Sequence, residues 1–266
     1  MFLFYNVYPC PYTYRMEILY SALLFLILLG TLYCIRSLRA LHLKITKKSE
    51  QISREIQKAS SDSKKNTMIA YRQTEAFIQL SNLLQFKSTI PPTRSWAASP
   101  DLLLLVSETV KKIKPSLVVE LGSGISTLVT AKSGARKVVS IDNSEEFGGK
   151  TRELLKEHKV RGVDIRIAPL RPYANGSEWY DISTIKDLKK IDLLIIDGPP
   201  GSKNPEARYP ALQEFKDKLS TRATIIIDDV KRDGERKLAE DFAKSLPNHT
   251  LTILDHEKGT AVISPR

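Results

Sequence analysis

The sequence predicts an α/β protein with a doubly wound, largely parallel sheet of seven strands, preceded by a transmembrane helix and a long helical stalk. Three observations lead to this fold class. Short apolar runs alternate with amphipathic segments after residue 90, residues 18–35 carry no charge, and residues 36–90 contain neither proline nor glycine. A chain of 266 residues has room for one large domain and an appendage.

The uncharged run from Ile18 to Ile35 is predicted to cross a membrane. As a helix it is roughly 27 Å long, which is about the thickness of the hydrocarbon core. A signal peptide would carry its basic residues before the apolar run, whereas this chain carries them after it: Arg36, Arg39, Lys44, Lys47 and Lys48. By the positive-inside rule, residues 1–17 are predicted to form a short extracytoplasmic segment and the domain that follows the span is predicted to be cytoplasmic.

The net charge of +11 does not by itself indicate a nucleic-acid partner, because much of it lies next to the predicted span. Basic residues outnumber acidic ones between residues 36 and 66. This segment is expected either to contact anionic lipid headgroups of the bilayer or to be a solvated charge run. It lacks the interleaved aromatic residues of a nucleic-acid module, so no nucleic acid is predicted. The two cysteines, Cys10 and Cys34, lie in or before the span, which suits a domain in the reducing cytosol.

Residues 36–89 are predicted to form the helical stalk. Apolar side chains recur there at spacings of three, four and seven residues: Leu38, Leu41, Ile45, Ile52, Ile56 and Ala59. The heptads are imperfect and leave two alternatives open, a coiled coil that forms a homo-oligomer through the stalk and a single helix lying back on the domain. Pro91 and Pro92 are expected to end the helix, so the globular domain is assigned to residues 90–266.

Seven apolar runs in that domain are predicted to be strands: residues 117–121, 137–142, 163–168, 191–197, 223–229, 250–254 and 259–263. A helix is expected to run from a cap at residues 99–101 to Ile113, with further helices at 145–158, 206–219 and 233–245. The alternation of strand and helix implies a parallel sheet. A turn-like segment separates the last two runs, which predicts an antiparallel hairpin at the end of the sheet.

The first predicted strand ends in Glu120 and is followed by a turn with glycine at positions 122 and 124. In α/β proteins such a turn holds nucleotide-like ligands, because glycine lets the backbone approach the ligand closely. The next strand ends in Asp142, where a carboxylate can bind the two hydroxyls of a ribose. A dinucleotide site would have a third glycine where this chain has Thr127, and it would gain nothing from Glu120, which suits a ligand with a positively charged amino-acid end.

The Glu-Leu-Gly-Ser-Gly turn with Asp142 downstream resembles that of the Rossmann-like class I S-adenosylmethionine-dependent methyltransferases. A seven-stranded sheet with a terminal antiparallel hairpin is also the arrangement known for them. The resemblance implies methyl transfer with S-adenosyl-L-methionine as the cofactor. The residues that it assigns to cofactor binding are Glu120, Gly122, Ser123, Gly124, Asp142 and Asp197.

Acidic residues also follow two later predicted strands, Asp197 after one and the pair Asp228-Asp229 after the other. Because the carboxyl ends of parallel strands open on the same edge of a sheet, these residues should converge with Glu120 and Asp142. Carboxylates so close repel one another unless cations or hydrogen-bond donors lie among them. They are expected to organise either a divalent metal or the acceptor hydroxyl, and oxygen-only clusters suit magnesium or manganese.

Asp197 with the Asp228-Asp229 pair resembles the metal-ligand positions of the catechol O-methyltransferase family, in which magnesium holds a substrate with adjacent hydroxyls. The resemblance implies Mg²⁺ or Mn²⁺ at these three residues, with catalytic roles for Asp197 and Asp228. The chain departs from that family at two positions: Asp229 replaces an asparagine, and Pro200 stands where the family has its catalytic lysine. Lys203 lies nearby and is the candidate to replace that lysine.

Several short motifs resemble a bacterial group of class I methyltransferases whose members often accompany glycosyltransferases: residues 96–100, 168–170, 179–181, 197–201, 208–212 and 228–229. This resemblance implies O-methylation of a hydroxyl-bearing acceptor, either a glycan or a small molecule. Two other classes stay open. One is a non-catalytic, membrane-tethered adaptor with a degenerate methyltransferase domain, which the missing lysine favours. The other is a nicotinamide-dependent oxidoreductase, which Thr127 and the terminal hairpin disfavour.

Overall fold

The computed structural model describes residues 11–174, 176–201 and 204–266, with side chains from residue 14 onward. By its contacts the chain divides into two units, Met1–Thr67 and Met68–Arg266. The first ten residues of the predicted extracytoplasmic segment lie outside the described residues. A single helix, α1, runs from Pro11 to Leu84 and includes the predicted span and most of the predicted stalk.

The N-terminal part of α1 is apolar. Among the described residues, this helix is long and apolar enough to cross a membrane by length and composition, with a mean hydropathy of 2.4 in its most apolar window. None of that window is buried within the chain. Its large side chains, such as Leu24, Phe25 and Leu26, are more than half exposed.

The last turns of α1 belong to the globular unit, which begins at Met68 and therefore earlier than the predicted boundary at residue 90. Ala76, Leu80 and Leu84 on this part of the helix are buried in a hydrophobic cluster. The helix ends before the prolines that were expected to end it. At Gln85 the backbone takes a left-handed φ of 44°, and the Gln85 N–H closes the last turn on the carbonyl of Ser81 at 2.9 Å.

The globular unit contains nine strands and five further α-helices among its described residues. The strands are β1 (Val118–Leu121), β2 (Val138–Asp142), β3 (Val163–Ile167), β4 (Leu170–Pro172), β5 (Glu178–Tyr180), β6 (Ile191–Ile196), β7 (Leu219–Asp228), β8 (His249–Leu254) and β9 (Thr260–Pro265). The helices are α2 (Pro100–Ile113), α3 (Ile125–Lys132), α4 (Glu145–Glu157), α5 (Pro210–Phe215) and α6 (Asp233–Lys244). Short 3₁₀ helices occupy Ile182–Ile185 and Lys216–Lys218.

Seven of the strands form one sheet in the order β3-β2-β1-β6-β7-β9-β8. Strands β3, β2, β1, β6 and β7 are parallel, and β9 and β8 are antiparallel to their neighbours. The predicted seven-stranded doubly wound sheet with a terminal hairpin is confirmed. The strand order reverses between β1 and β6, and at such a point the connections diverge and leave a crevice outside the carboxyl ends of the strands.

Helices cover both faces of the sheet. Because successive strand residues point to opposite faces, Val118 joins one hydrophobic cluster and Val119 joins the other. The first cluster contains the end of α1 with α2 and α3, and the second contains α5, α6 and the side chains of Trp179 and Tyr180. The two clusters fix the sheet between the helical layers and hold its carboxyl edge in place.

One predicted helix differs from the structure, and one small sheet is not predicted. The predicted helix at 206–219 is helical only over Pro210–Phe215, with a 3₁₀ turn after it, because proline favours the first helical position and so marks a later start. The small antiparallel sheet of β4 and β5 is not predicted. It follows β3 directly and brings Tyr180 toward the carboxyl edge of the main sheet.

Candidate active site

A cleft of about 690 Å³ lies at the carboxyl edge of the sheet. Its floor comes from the turns after β1, β2 and β6, which contribute Gly122, Asp142 and Asp197. Its rim includes residues of the segment between α1 and α2, such as Trp96, and of α4, such as Phe147. Clefts of this size bury most of a ligand of cofactor size.

The turn after β1 requires glycine at its first position. Gly122 has a φ of +93°, and a Cβ there would lie 3.0 Å from the carbonyl oxygen of Asp197. The turn after β6 comes equally close, since a Cβ at Gly198 would lie 3.1 Å from the Gly122 nitrogen. The two glycines let the neighbouring turns pack together and leave the backbone open to the cleft.

Asp142 lies at the end of β2 and lines the cleft, as the sequence predicts for a ribose-binding carboxylate. Its Oδ2 accepts hydrogen bonds from the N–H and the hydroxyl of Ser123, at 2.9 and 2.6 Å. Its Oδ1 accepts from the Ser144 N–H at 2.8 Å. These bonds fix the carboxylate against the glycine turn, so the predicted cofactor residues Gly122, Ser123, Gly124 and Asp142 all line one wall.

Glu120 lies behind this wall and is fully buried, and it is absent from the cleft lining. The hydroxyls of Thr127 and Ser140 donate to its Oε2, and the Thr127 hydroxyl also accepts from the Gly124 N–H at 3.1 Å. Burial raises the pKa of Glu120 to about 7, although the hydroxyl donors oppose the shift. In this arrangement Glu120 holds the glycine turn through Thr127, which is the residue that stands in place of a third glycine.

The predicted acidic cluster is present. Carboxylate oxygens of Asp197, Asp228 and Asp229 lie within 4.8 Å of one another. Asp197 lines the cleft with its side chain 16% exposed, whereas Asp228 is 1% exposed and forms no well-aligned hydrogen bond with a described residue. Burial, followed by the charges of Asp197 and Asp229, raises the pKa of Asp228 to about 8. Burial also raises the pKa of Asp197, against the attraction of Arg208.

Arg208 lies among these carboxylates with its side chain 5% exposed. Its Nη2 donates to Asp229 Oδ2 at 2.9 Å and to Asp197 Oδ1 at 3.2 Å. Burial opposes the charge of the guanidinium, but the carboxylates of Asp197 and Asp229 outweigh it and raise the Arg208 pKa. Arg232 Nη1 adds a second contact to Asp229 Oδ2 at 3.1 Å.

The cluster fits a divalent metal only in part. Three carboxylate oxygens within 4.8 Å are compact enough to surround one ion, and oxygen ligands suit magnesium. Two of the three carboxylates, however, already bind a buried guanidinium, and the third, that of Asp228, is not part of the cleft lining. Three carboxylates therefore lie close enough to hold an ion, while the guanidinium of Arg208 already places a positive charge beside two of them.

Three features of the site have weak or no signals in the sequence. The hydroxyl of Tyr180 is buried at the cleft and has no hydrogen-bond partner among the described residues, while its neighbour Trp179 is core. Glu235, 1% exposed, lies 3.7 Å from Arg208 Nε. Trp96, the first residue of the motif at 96–100, is 75% exposed on the rim of the cleft. The predicted catalytic residue Lys203 lies outside the described residues.

Comparisons with known proteins agree with the fold. Residues 119–230 match a family model described as a methyltransferase domain. None of the curated proteins matches the sequence. A SAH-bound methyltransferase from Podospora anserina has 17% identity and a TM-score of 0.54, over 77% of this chain and 96% of that one.

Two further solved structures are similar over most of their length. A methyltransferase from Geobacter sulfurreducens has 15% identity and a TM-score of 0.49, over 73% of this chain and 88% of that one. An O-methyltransferase from Bacillus cereus in complex with SAH has 16% identity and a TM-score of 0.48, over 73% of this chain and 91% of that one.

The sheet order, the glycine turn and the carboxylate after β2 together define the fold of a class I methyltransferase. Residues 119–230, which match the methyltransferase domain model, lie within this fold and include the glycine turn, Asp142 and Asp197.

Proposed function

We propose that this protein transfers a methyl group from S-adenosyl-L-methionine to a hydroxyl oxygen of an acceptor, a glycan or a small molecule. The observation that carries the proposal is the cleft at the carboxyl edge of the sheet, which is lined by the glycine turn, Asp142, Asp197 and Asp229. The glycine turn and Asp142 suit the cofactor, and Asp197 offers a carboxylate to an acceptor hydroxyl. O-methylation and the glycan rest on the resemblances of the acidic motifs.

The position of each residue in the cleft suits it either to bind the cofactor or to orient the acceptor. Asp142 is suited to bind the ribose hydroxyls, and Gly122 and Gly124 let the turn approach the ligand. When bound, S-adenosyl-L-methionine supplies an electrophilic methyl group on a sulfonium sulfur, which the acceptor oxygen attacks in line. Asp197, which lines the cleft, orients the acceptor hydroxyl and takes its proton.

The two alternative classes of protein, an oxidoreductase and a non-catalytic adaptor, would require different features of the cleft. A nicotinamide-dependent oxidoreductase needs a pyrophosphate site at the turn after β1, where Thr127 is engaged with Glu120 and Gly124. A non-catalytic adaptor needs no cofactor site, yet the turn keeps its glycines and Asp142 keeps its place in the lining. Both observations favour the methyltransferase.

Cofactor binding is the first test. Calorimetry on the full-length protein in detergent is expected to detect S-adenosylhomocysteine and not NAD. Binding of NAD alone would support the oxidoreductase, and binding of neither would support the adaptor. Transfer of a labelled methyl group to hydroxyl-bearing acceptors then identifies the substrate class: a label that resists protease and is released by a glycosidase marks a glycan, and a label that passes a size filter without digestion marks a small molecule.

A divalent metal at Asp197, Asp228 and Asp229 stays a prediction. The spacing of the three carboxylates supports it, and the contacts of Arg208 with two of them oppose it. Of the two roles that the sequence leaves open, these contacts favour orientation of the acceptor hydroxyl over metal binding.

Anchoring in the bilayer belongs to the same proposal. The apolar N-terminal part of α1 supports a single span, and the basic residues that follow it support a cytoplasmic methyltransferase domain. A cytoplasmic domain would have direct access to cytosolic S-adenosyl-L-methionine. A coiled-coil homo-oligomer through the stalk stays a prediction.

A further inference from the structure

Arg208 lies at the centre of the acidic cluster rather than at its edge. One nitrogen, Nη2, contacts Asp197 Oδ1 at 3.2 Å and Asp229 Oδ2 at 2.9 Å. A guanidinium remains charged at any pH at which the protein is folded, and it presents its donors in a rigid plane. The two carboxylates therefore share a cation that the chain itself provides.

Backbone carbonyls hold this guanidinium in place. Nε donates to the Pro199 carbonyl at 3.3 Å, Nη1 to the Asp228 carbonyl at 3.2 Å, and Nη2 to the Asp197 carbonyl at 3.2 Å. All three nitrogens thus have partners from the turns after β6 and β7. A side chain so buried and so fully bonded cannot move aside without leaving charged and polar groups unpaired.

A metal ion would have to use the same carboxylates. Magnesium binds oxygen at about 2.1 Å, so an ion on Asp229 Oδ2 would lie at most about 5 Å from Nη2, given the 2.9 Å contact. A doubly charged ion beside a buried guanidinium is repelled in a region where solvent screens little. Arg208 and a metal would therefore compete for the negative charge of the same carboxylates.

We propose that Arg208 is the resident cation of this site and replaces the divalent metal of the catechol O-methyltransferase family. Arg208 is then a positioning residue: it holds Asp197 in the cleft lining and neutralises Asp229 beside it. The inference concerns the site of the proposed function, but its test reads metal binding and unfolding and does not depend on methyl transfer.

The first experiment uses the full-length wild-type protein in detergent, stripped with EDTA. Manganese binding is followed by the electron paramagnetic resonance signal of free Mn²⁺, and unfolding by the thermal midpoint with and without Mn²⁺ or Mg²⁺. We expect the same Mn²⁺ binding in wild type and Asp197→Asn, with no midpoint shift on EDTA or metal. Stoichiometric Mn²⁺ binding that Asp197→Asn abolishes would overturn the proposal.

The second experiment removes the guanidinium and keeps the bulk. Arg208→Met leaves the carboxylates without their cation, so we expect a lower midpoint, a gain of at least tenfold in Mn²⁺ affinity and partial recovery of the midpoint with Mn²⁺. Arg222→Met, which changes an exposed arginine of β7, is the matched control and should alter none of these. A folded Arg208→Met protein that gains no affinity for Mn²⁺ would contradict the inference.

Two further comparisons separate a failure of this inference from a failed variant and from a failure of the proposed function. If Arg208→Met does not fold, the comparison of wild type with Asp197→Asn still decides the question. S-adenosylhomocysteine binding by the wild type is measured in the same buffers. Its absence would overturn the proposed function and leave the conclusion about Arg208 unaffected.

Discussion

Glu120 and Asp142 end neighbouring parallel strands, yet their surroundings give them different roles. Asp142 lines the cleft and accepts hydrogen bonds from two backbone N–H groups, those of Ser123 and Ser144. Glu120 is fully buried and accepts from hydroxyls, with Oε1 lacking a partner among the described residues. A carboxylate at the end of a strand is therefore exposed to the cleft in one case and supports the turn from behind in the other.

Replacing Asp142 tests whether the wall of the cleft formed by the glycine turn and Asp142 binds the cofactor. Asp142→Ala should weaken S-adenosylhomocysteine binding by about 1.5–3 kcal/mol, the range for losing hydrogen bonds to a charged group. Calorimetry on the full-length protein measures this change. Asp217→Ala, at an exposed aspartate just before the amino end of β7, is the control and should bind as the wild type does. Equal affinities in the two variants would remove Asp142 from the site.

Glu120 should make stability depend on pH. Burial raises its folded pKa to about 7 from an unfolded value near 4.5. Below pH 4.5 the group is protonated in both states; between about pH 4.5 and 7 the unfolded chain gives up its proton first, so the free energy of unfolding falls as pH rises. The loss amounts to about 3 kcal/mol at most.

The test compares wild type with Glu120→Gln, whose side chain does not titrate. The thermal midpoint should fall more between pH 5 and pH 8 in the wild type than in the variant. Other titrating groups affect both proteins alike. Parallel falls in the two proteins would mean that Glu120 titrates normally when folded.

The carboxylates could be predicted from the sequence because each follows a recognisable strand, and parallel strands bring their carboxyl ends to one edge. The role of Arg208 could not. Its position after Asp-Gly-Pro-Pro-Gly places it near the cleft, but nothing in the local sequence shows that the guanidinium folds back onto Asp197 and Asp229. Burial of a charge depends on partners distant in sequence, and local patterns do not record them.

At the scale of elements, the hydrophobic pattern of the sequence identifies the long strands of the main sheet but not its shortest neighbours. Strands such as β6, Ile191–Ile196, are apolar because both faces of the sheet are covered, and runs of this kind are visible in the sequence. Strands β4 and β5 have only three residues each, which is too short for alternation to appear. α1 ends at Leu84, before Pro91 and Pro92, because the backbone at Gln85 takes the left-handed conformation, for which glutamine gives no signal in the sequence.

The last turns of α1 should be part of the stable core of the globular unit. Leu80 is fully buried, and Leu83, close by on the same helix, is 46% exposed. Leu80→Ala should lower the free energy of unfolding by about 2–5 kcal/mol, since it removes a buried side chain and leaves a cavity. Leu83→Ala is the matched control and should cost less than about 1 kcal/mol.

Thermal unfolding of the two variants gives the comparison. A similar, small loss in both would mean that this part of α1 does not pack on the domain.

At the scale of the whole chain, charge and hydropathy are distributed unevenly. The apolar window of α1 is followed by a strongly basic segment, while the acidic cluster lies in the globular unit at the sheet edge. The net charge of +11 is therefore not a property of the cleft. A basic segment next to a span sets the orientation of the span in the membrane and adds attraction to anionic lipids.

The orientation can be tested with single cysteines. In a Cys34→Ser variant, Cys10 is the only cysteine left, and it should react with a membrane-impermeant maleimide added to intact cells. The matched protein carries Cys10→Ser, Cys34→Ser and Ser60→Cys, which moves the thiol to the other side of the span. It should react only after the membrane is permeabilised.

The same cells allow a second reading, because protease added outside should leave residues 68–266 intact when the membrane is sealed. Labelling of the cysteine at position 60 in intact cells, together with digestion of the domain, would reverse the predicted orientation. It would also place the cleft away from the cytosolic supply of S-adenosyl-L-methionine, so that a domain outside the cell would lack the methyl donor that the proposed function requires.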